Sequence, residues 1–131
     1  MLFVASVAVG AQASAVAKSL LAIKPPANYE NVHVVPLSTD KHASEFLIFV
    51  KQGVKPHIHE WHSERIYVIS GAGEMQVGNN TRAIQSGSFV KIPEGMVHGV
   101  EVTSAEPLVV LSVQAPEFKG KDRVFVEQRD E

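Results

Sequence analysis

Beyond residue 30 the chain alternates short runs of β-branched, aromatic and other apolar residues with turn signals at close, regular spacing, the pattern of a β-sandwich or barrel. The predicted strands run from Val32 to Val35, Glu45 to Val50, His57 to His59, Glu64 to Ile69, Glu74 to Val77, Arg82 to Ile84, Phe89 to Ile92, Val97 to Val102 and Leu108 to Val113. Between them fall the turns Gly71-Ala72-Gly73, Gly78-Asn79-Asn80, Ser86-Gly87 and Pro93-Glu94-Gly95. No long amphipathic helix, internal repeat or low-complexity tract interrupts this pattern. The expected fold is all-β.

Side chains alternate between faces along a strand. In Val97 to Val102, His98, Val100 and Val102 therefore share one face, with Gly99 and Glu101 on the other. In Glu64 to Ile69, Glu64 groups with Ile66 and Val68 while Tyr67 turns away. A histidine and a carboxylate thus head faces that are otherwise apolar. An ionised Glu is costly to bury alone, so a partner is implied. The same period points His57 and His59 to one side of their strand. A divalent metal bound by Glu64 and His98 would satisfy both, and His57 and His59 converge on one point of their own. The set is rich in nitrogen and oxygen and lacks thiolate, which suits Mn, Fe, Ni, Co or Zn, one ion per chain, rather than a closed structural zinc site. Gly71 and Gly73 are expected to supply positive-φ turns. Pro93-Glu94-Gly95 sets the register of His98, which a one-residue slip would turn outward.

The first residues read differently. Met1 to Val9 is mostly apolar, and Ala11-Gln12-Ala13 and Ala13-Ser14-Ala15 are small-x-small patterns like those that end a secretory signal. No Lys or Arg precedes the apolar run, and the run is too short to span a membrane. Residues 1–28 are read as an N-terminal extension, a signal remnant or a helix, which leaves export and cytoplasmic residence equally open. Lys24-Pro25-Pro26-Ala27-Asn28 breaks any helix or central strand, so residues 29–131 are the expected barrel domain.

Composition narrows the rest. At 131 residues the chain has the length of one domain, and 45% hydrophobic with 20% charged residues is ordinary for a globular protein. A formal charge of -2 supplies no basic field for nucleic acid. Without cysteine there are no disulfides and no thiolate ligands.

The spacing of these residues resembles that of a small single-domain cupin, the double-stranded β-helix or jelly-roll family. The first motif is similar to His57-x-His59, four residues, Glu64, six residues, Gly71; the second is similar to Gly87, five residues, Pro93-x-Gly95, two residues, His98. The likeness covers roughly residues 45 to 113. Two positions depart from it: Lys51 stands where the family usually has Gly, and Val102 where it has Asn. Neither is a ligand position. The resemblance implies a β-barrel whose metal is held by His57, His59, Glu64 and His98.

Function is less constrained. The expectation is a metal-dependent enzyme of oxygenase or isomerase/lyase type acting on a small molecule. The alternative is a binding or sensing module without turnover, and a storage or structural role comes third. His62 is the nearby imidazole that the four-ligand pattern leaves free, so it is the candidate catalytic proton carrier; as a loop residue beside Glu60 it is otherwise a rim residue. Trp61 is read as a lid over the mouth or as a surface residue. Lys55 is the one cation expected to face inward, and no Arg is. Tyr29 to Val35 is expected to protect a sheet edge by pairing with a second copy, giving a homodimer.

Overall fold

The computed structural model describes residues 17–126. The expected signal remnant or helix falls largely on residues 1–16, outside the described residues. Ten strands follow a single 3-10 turn at Leu20–Ala22: β1 (Val32–Thr39), β2 (Ser44–Val50), β3 (Gly53–His59), β4 (Ser63–Ser70), β5 (Ala72–Val77), β6 (Asn80–Gln85), β7 (Phe89–Ile92), β8 (His98–Val102), β9 (Leu108–Ala115) and β10 (Arg123–Phe125). They form two five-stranded antiparallel sheets, in the orders β1-β2-β9-β4-β7 and β10-β3-β8-β5-β6. All nine expected strands are present, several extended at their ends. The tenth was not anticipated, because Arg123–Phe125 is too short to show a period.

Alternation decides what lies inside. Along β4, Glu64, Ile66 and Val68 are buried while Tyr67 is exposed. Along β9, Leu108, Val110, Ser112 and Gln114 are buried in turn. The core cluster of Val50, Ile66, Val68, Met75, Ile84, Ile92, Leu108 and Val110 therefore fills one part of the space between the sheets. The same inward faces become polar at Glu64, Ser112 and Gln114, and the site begins there. Leu47 and Phe49 are buried on the opposite face of β2, where His33 and then Tyr29 stack outward from Phe49.

Two glycines have different reasons for being glycine. Gly71 takes φ +79°, and a Cβ there would lie 2.5 Å from the Pro107 carbonyl oxygen. Gly73, expected to take positive φ as well, does not; its constraint is the close approach of β8, since a Cβ would lie 2.6 Å from the Glu101 carbonyl oxygen.

Candidate metal centre

Three strands carry the inward imidazoles and carboxylate. His57 and His59 lie on β3, Glu64 is the second residue of β4, and His98 opens β8, where it pairs directly with His57. Pairing of β3 with β8 is interrupted between Val54 and His57, and Pro56, which has no N–H to give to a ladder, sits in that irregularity. Opposite it is Gly99, where a Cβ would lie 2.9 Å from the Val54 carbonyl oxygen and 3.0 Å from the Pro56 nitrogen. This close approach brings the His57 and His98 rings to 4.2 Å between centroids. The turn that sets the register of His98 is tied back to β3, because the Gly95 N–H donates to the His59 carbonyl at 2.8 Å.

His57, His59, Glu64 and His98 are each 5% exposed or less. The three histidines can hold a metal ion: one ring nitrogen from each lies within 4.8 Å of the others. Their Nδ1 edges are all engaged. His57 donates to the Lys55 carbonyl at 2.8 Å, His98 to the Met96 carbonyl at 3.0 Å, and His59 to Asp122 Oδ1 at 3.1 Å. Each ring is thereby left with Nε2 for the shared space, the arrangement that fixes the tautomer of a metal-ligating histidine. Glu64 Oε2 lies 3.1 Å from His98 Nε2 and 3.4 Å from His59 Nε2. Its other oxygen accepts from Ser112 Oγ at 2.5 Å, and Gln114 Nε2 donates to that hydroxyl at 3.4 Å. The three imidazoles and their supports fit a divalent transition ion, while Glu64, set against His98 and His59, falls outside the group whose ligand atoms all lie within 4.8 Å of one another.

Electrostatics differ from ring to ring. Burial pushes His57 down to about 4, with the nearby charges of His98, Arg123 and His59 acting in the same direction. Burial also opposes the charged form of His59, but hydrogen bonds to Glu64 and Asp122 outweigh it and raise its pKa. For Glu64 burial alone would raise the pKa; bonds from His59, His98 and Ser112 win and hold the carboxyl well below its ordinary range. Asp122 follows the same pattern, its burial outweighed by bonds from His62 and His59.

A cavity of about 340 Å³ opens onto this cluster. Ile66, Met75, Ile84, Leu108 and Val110 line its apolar part, and Lys55, Arg123 and Phe125 also border it. A larger open groove of about 1170 Å³ passes Glu74, Gln76 and Glu101 on the β3-β8-β5 sheet; no histidine lines it, but it shares Lys55 and Phe125 with the smaller cavity.

The loop between β3 and β4 departs from expectation. Trp61 is 58% exposed and does not line the cavity, which leaves the surface reading rather than the lid. Glu60 is exposed as well. His62, expected at an open rim, is buried: Nδ1 bonds to Asp122 Oδ2, Nε2 donates to the Glu117 carbonyl at 2.8 Å, and the ring packs edge-on to Phe118. Sequence reasoning missed Asp122, which is 1% exposed and joins His59, His62 and the Trp61 N–H, and it missed Arg123 and Phe125. Ser112 could have been found. Period-two alternation from Leu108 and Val110 places it inward, as it does His98.

An antiparallel double-stranded β-helix with three imidazoles and a carboxylate turned into its barrel is the architecture of a small β-barrel with a candidate metal site. The chain belongs to the cupin family: residues 40–114 match the Cupin domain, Cupin_2. It is 35% identical over 98 residues to an uncharacterized protein of Aquifex aeolicus, spanning 75% of this chain and 80% of that one. Among solved structures it is similar to TT1209 from Thermus thermophilus, with 28% identity, TM-score 0.64 and coverage of 70% and 90% of the two chains. An uncharacterized double-stranded β-helix protein from Klebsiella pneumoniae, 21% identical with TM-score 0.67, covers 81% of this chain and 91% of its own, a likeness of fold. No helix among the described residues is long and apolar enough to cross a membrane.

Proposed function

We propose that this chain is a metal-dependent cupin enzyme, of oxygenase or isomerase/lyase type, that binds one divalent transition metal through His57, His59, Glu64 and His98 and acts on a small molecule in the adjoining cavity. The observation that carries this reading is the common orientation of the three rings, each with Nδ1 committed to an acceptor and Nε2 left for the shared space. When bound, the metal would supply Lewis acidity toward substrate oxygens. The protein's own part is to hold the ligands rigid, to keep the apolar walls around the substrate and to support Glu64 through Ser112. The test is metal analysis of the purified full chain together with a turnover screen: close to one equivalent of transition metal with turnover supports the reading, and a metal-free protein whose metal affinity is unchanged in His59→Ala and His98→Ala overturns the site.

One observation favours the second reading, a binding or sensing module. Apart from the proposed ligands, the side chains bordering the cavity include no carboxylate or imidazole to move a proton, and Lys55 is the titratable amine there. A proton-transfer role for His62 would require its bonds to Asp122 and Glu117 to open. His62→Ala separates the cases: normal metal with a rate lowered by roughly 10²-fold supports proton transfer, and normal metal with little change in rate or ligand affinity supports an anchoring role.

The proposal extends to assembly as a homodimer. β1 is the outermost strand of its sheet and leaves one edge of its backbone unpaired among the described residues, while Val32 and Val34 on it border the cavity. Sedimentation as a monomer at high micromolar concentration would contradict it, and deletion of residues 1–35 is expected to yield monomer or aggregate.

A further inference from the structure

Strand β10 brings to the site two side chains that no motif contains. In its register with β3, Arg123 stands opposite His59 and Phe125 opposite His57. Cross-strand partners in an antiparallel pair project to the same face, so Arg123 and Phe125 face the way the two inward histidines face. Phe125 packs on the His57 ring at 5.9 Å, and Arg123 is near enough for its charge to act on His57. Both border the 340 Å³ cavity, as does Lys55 on the neighbouring strand. Among the described residues neither Arg123 nor Lys55 forms an ion pair. The third polar group at the mouth, Asn31, is already committed to the backbone at Gln52 and Gly53. Asp122, immediately before Arg123, fixes β10 in place through His59 and His62.

Two exposed cations therefore border a small apolar cavity that opens onto the histidine cluster, Lys55 at the rim that the cavity shares with the larger groove. We propose that Arg123 and Lys55 form an anion-binding subsite that takes the carboxylate or phosphate end of a small organic anion while its other end reaches the histidine cluster. Guanidinium recognises such groups through paired charge-assisted hydrogen bonds, and Lys55 adds a point charge. The volume limits the ligand to a small molecule. The apolar walls suit a short carbon skeleton rather than a sugar dense in hydroxyls. The second half of the statement, the reach to a metal, rests on the function proposed above; the anion subsite does not.

The experiment titrates the Co²⁺-loaded full chain with acetate, lactate, malonate and inorganic phosphate, using lactamide as the neutral counterpart of lactate. At least one anion is expected to bind tenfold or more tighter than lactamide. Arg123→Ala is expected to weaken that anion by roughly 10- to 100-fold, the scale of losing a charge-assisted pair. Lactamide binding, metal content and thermal midpoint should be unchanged. Arg123→Lys should recover part of the loss, and Lys55→Ala should cost less than Arg123→Ala. The pattern among the probes separates a carboxylate ligand from a phosphate one. No preference for any anion over lactamide, or full anion affinity in Arg123→Ala, would overturn the subsite. The same titration on metal-free protein, read from the Arg123 Nε–H resonance, separates the two proposals: a chain that refuses metal but still shows an Arg123-dependent anion response refutes the metal reading alone.

Discussion

The two edges of the three imidazoles are built from different parts of the chain. The Nε2 edges meet in a space enclosed by β3, β4 and β8, all inside the stretch that carries the family motifs. The Nδ1 edges are held less uniformly. His57 and His98 each donate to a carbonyl two residues earlier in the chain, whereas His59 donates to Asp122, 63 residues away. A backbone carbonyl comes with the strand and survives any side-chain substitution. A carboxylate from a distant segment can be removed by one mutation, and it also changes the charge on its partner. The same strand thus carries one histidine pushed down to about 4 by burial and another whose pKa is raised by carboxylates. Local support makes a site sturdy; distant support makes it adjustable.

Loss of a proposed ligand should have the largest effect. His98→Ala is expected to take metal from close to one equivalent to near none, a loss of affinity beyond the ~100-fold that marks the upper range for outer partners. Elemental analysis after dialysis checks this, and retention of metal would remove His98 from the ligand set.

Acid comes next. His57 is depressed in the fold, so its contribution to stability is present above the unfolded value of 6.5 and is lost as pH falls toward about 4, at most roughly 3 kcal/mol. Glu64 is depressed too, and its contribution, present above 4.5, is lost at still lower pH. His59 has the opposite sign: its contribution is present below 6.5 and is lost as pH rises through its raised value. Metal-free protein is therefore predicted to be most stable near neutrality. Urea midpoints across pH 4 to 8 test this, and His57→Gln should flatten the slope between 6.5 and 4.

A smaller effect is expected from Asp122→Asn. Removing the charge while keeping the shape should weaken metal binding 10- to 100-fold, the usual range for a partner behind a ligating histidine. Competition against a chelator measures it. A change equal to that of His98→Ala would mean that the distant support is as essential as a ligand, and no change would mean that it holds the strand and not the site. The smallest effect belongs to Trp61→Ala. That side chain is 58% exposed and away from the cavity, so the change should stay within ~0.5 kcal/mol and leave metal affinity intact.

The contrast between edges also explains what could be read from the sequence. The inward burial of His57, His59, Glu64 and His98 was legible because each lies on a strand with a clear period, and the turns that set their register carry Gly or Pro. The inward placement of Ile66, Val68 and Val100 followed from the same alternation. Asp122, Arg123 and Phe125 were not legible. They sit in or beside a segment of three strand residues after an irregular stretch, and their direction is decided by pairing with β3 rather than by their own neighbours. His62 was misplaced for a related reason. A histidine in a short loop next to an exposed Trp reads as surface, and its burial depends on Asp122, Glu117 and Phe118 arriving from the far end of the domain.

Gly99 has an ordinary φ, yet the backbone of β3 stands where its first side-chain carbon would be. Every other amino acid shares that carbon, so a saturation library at position 99 should show no graded tolerance by size: alanine should fail much as leucine does. The failure should register first as a widened gap between the strands bearing His57 and His98, and only afterwards as unfolding. In a mutational scan read by metal retention, position 99 would then group with the ligands, although it offers no atom to an ion.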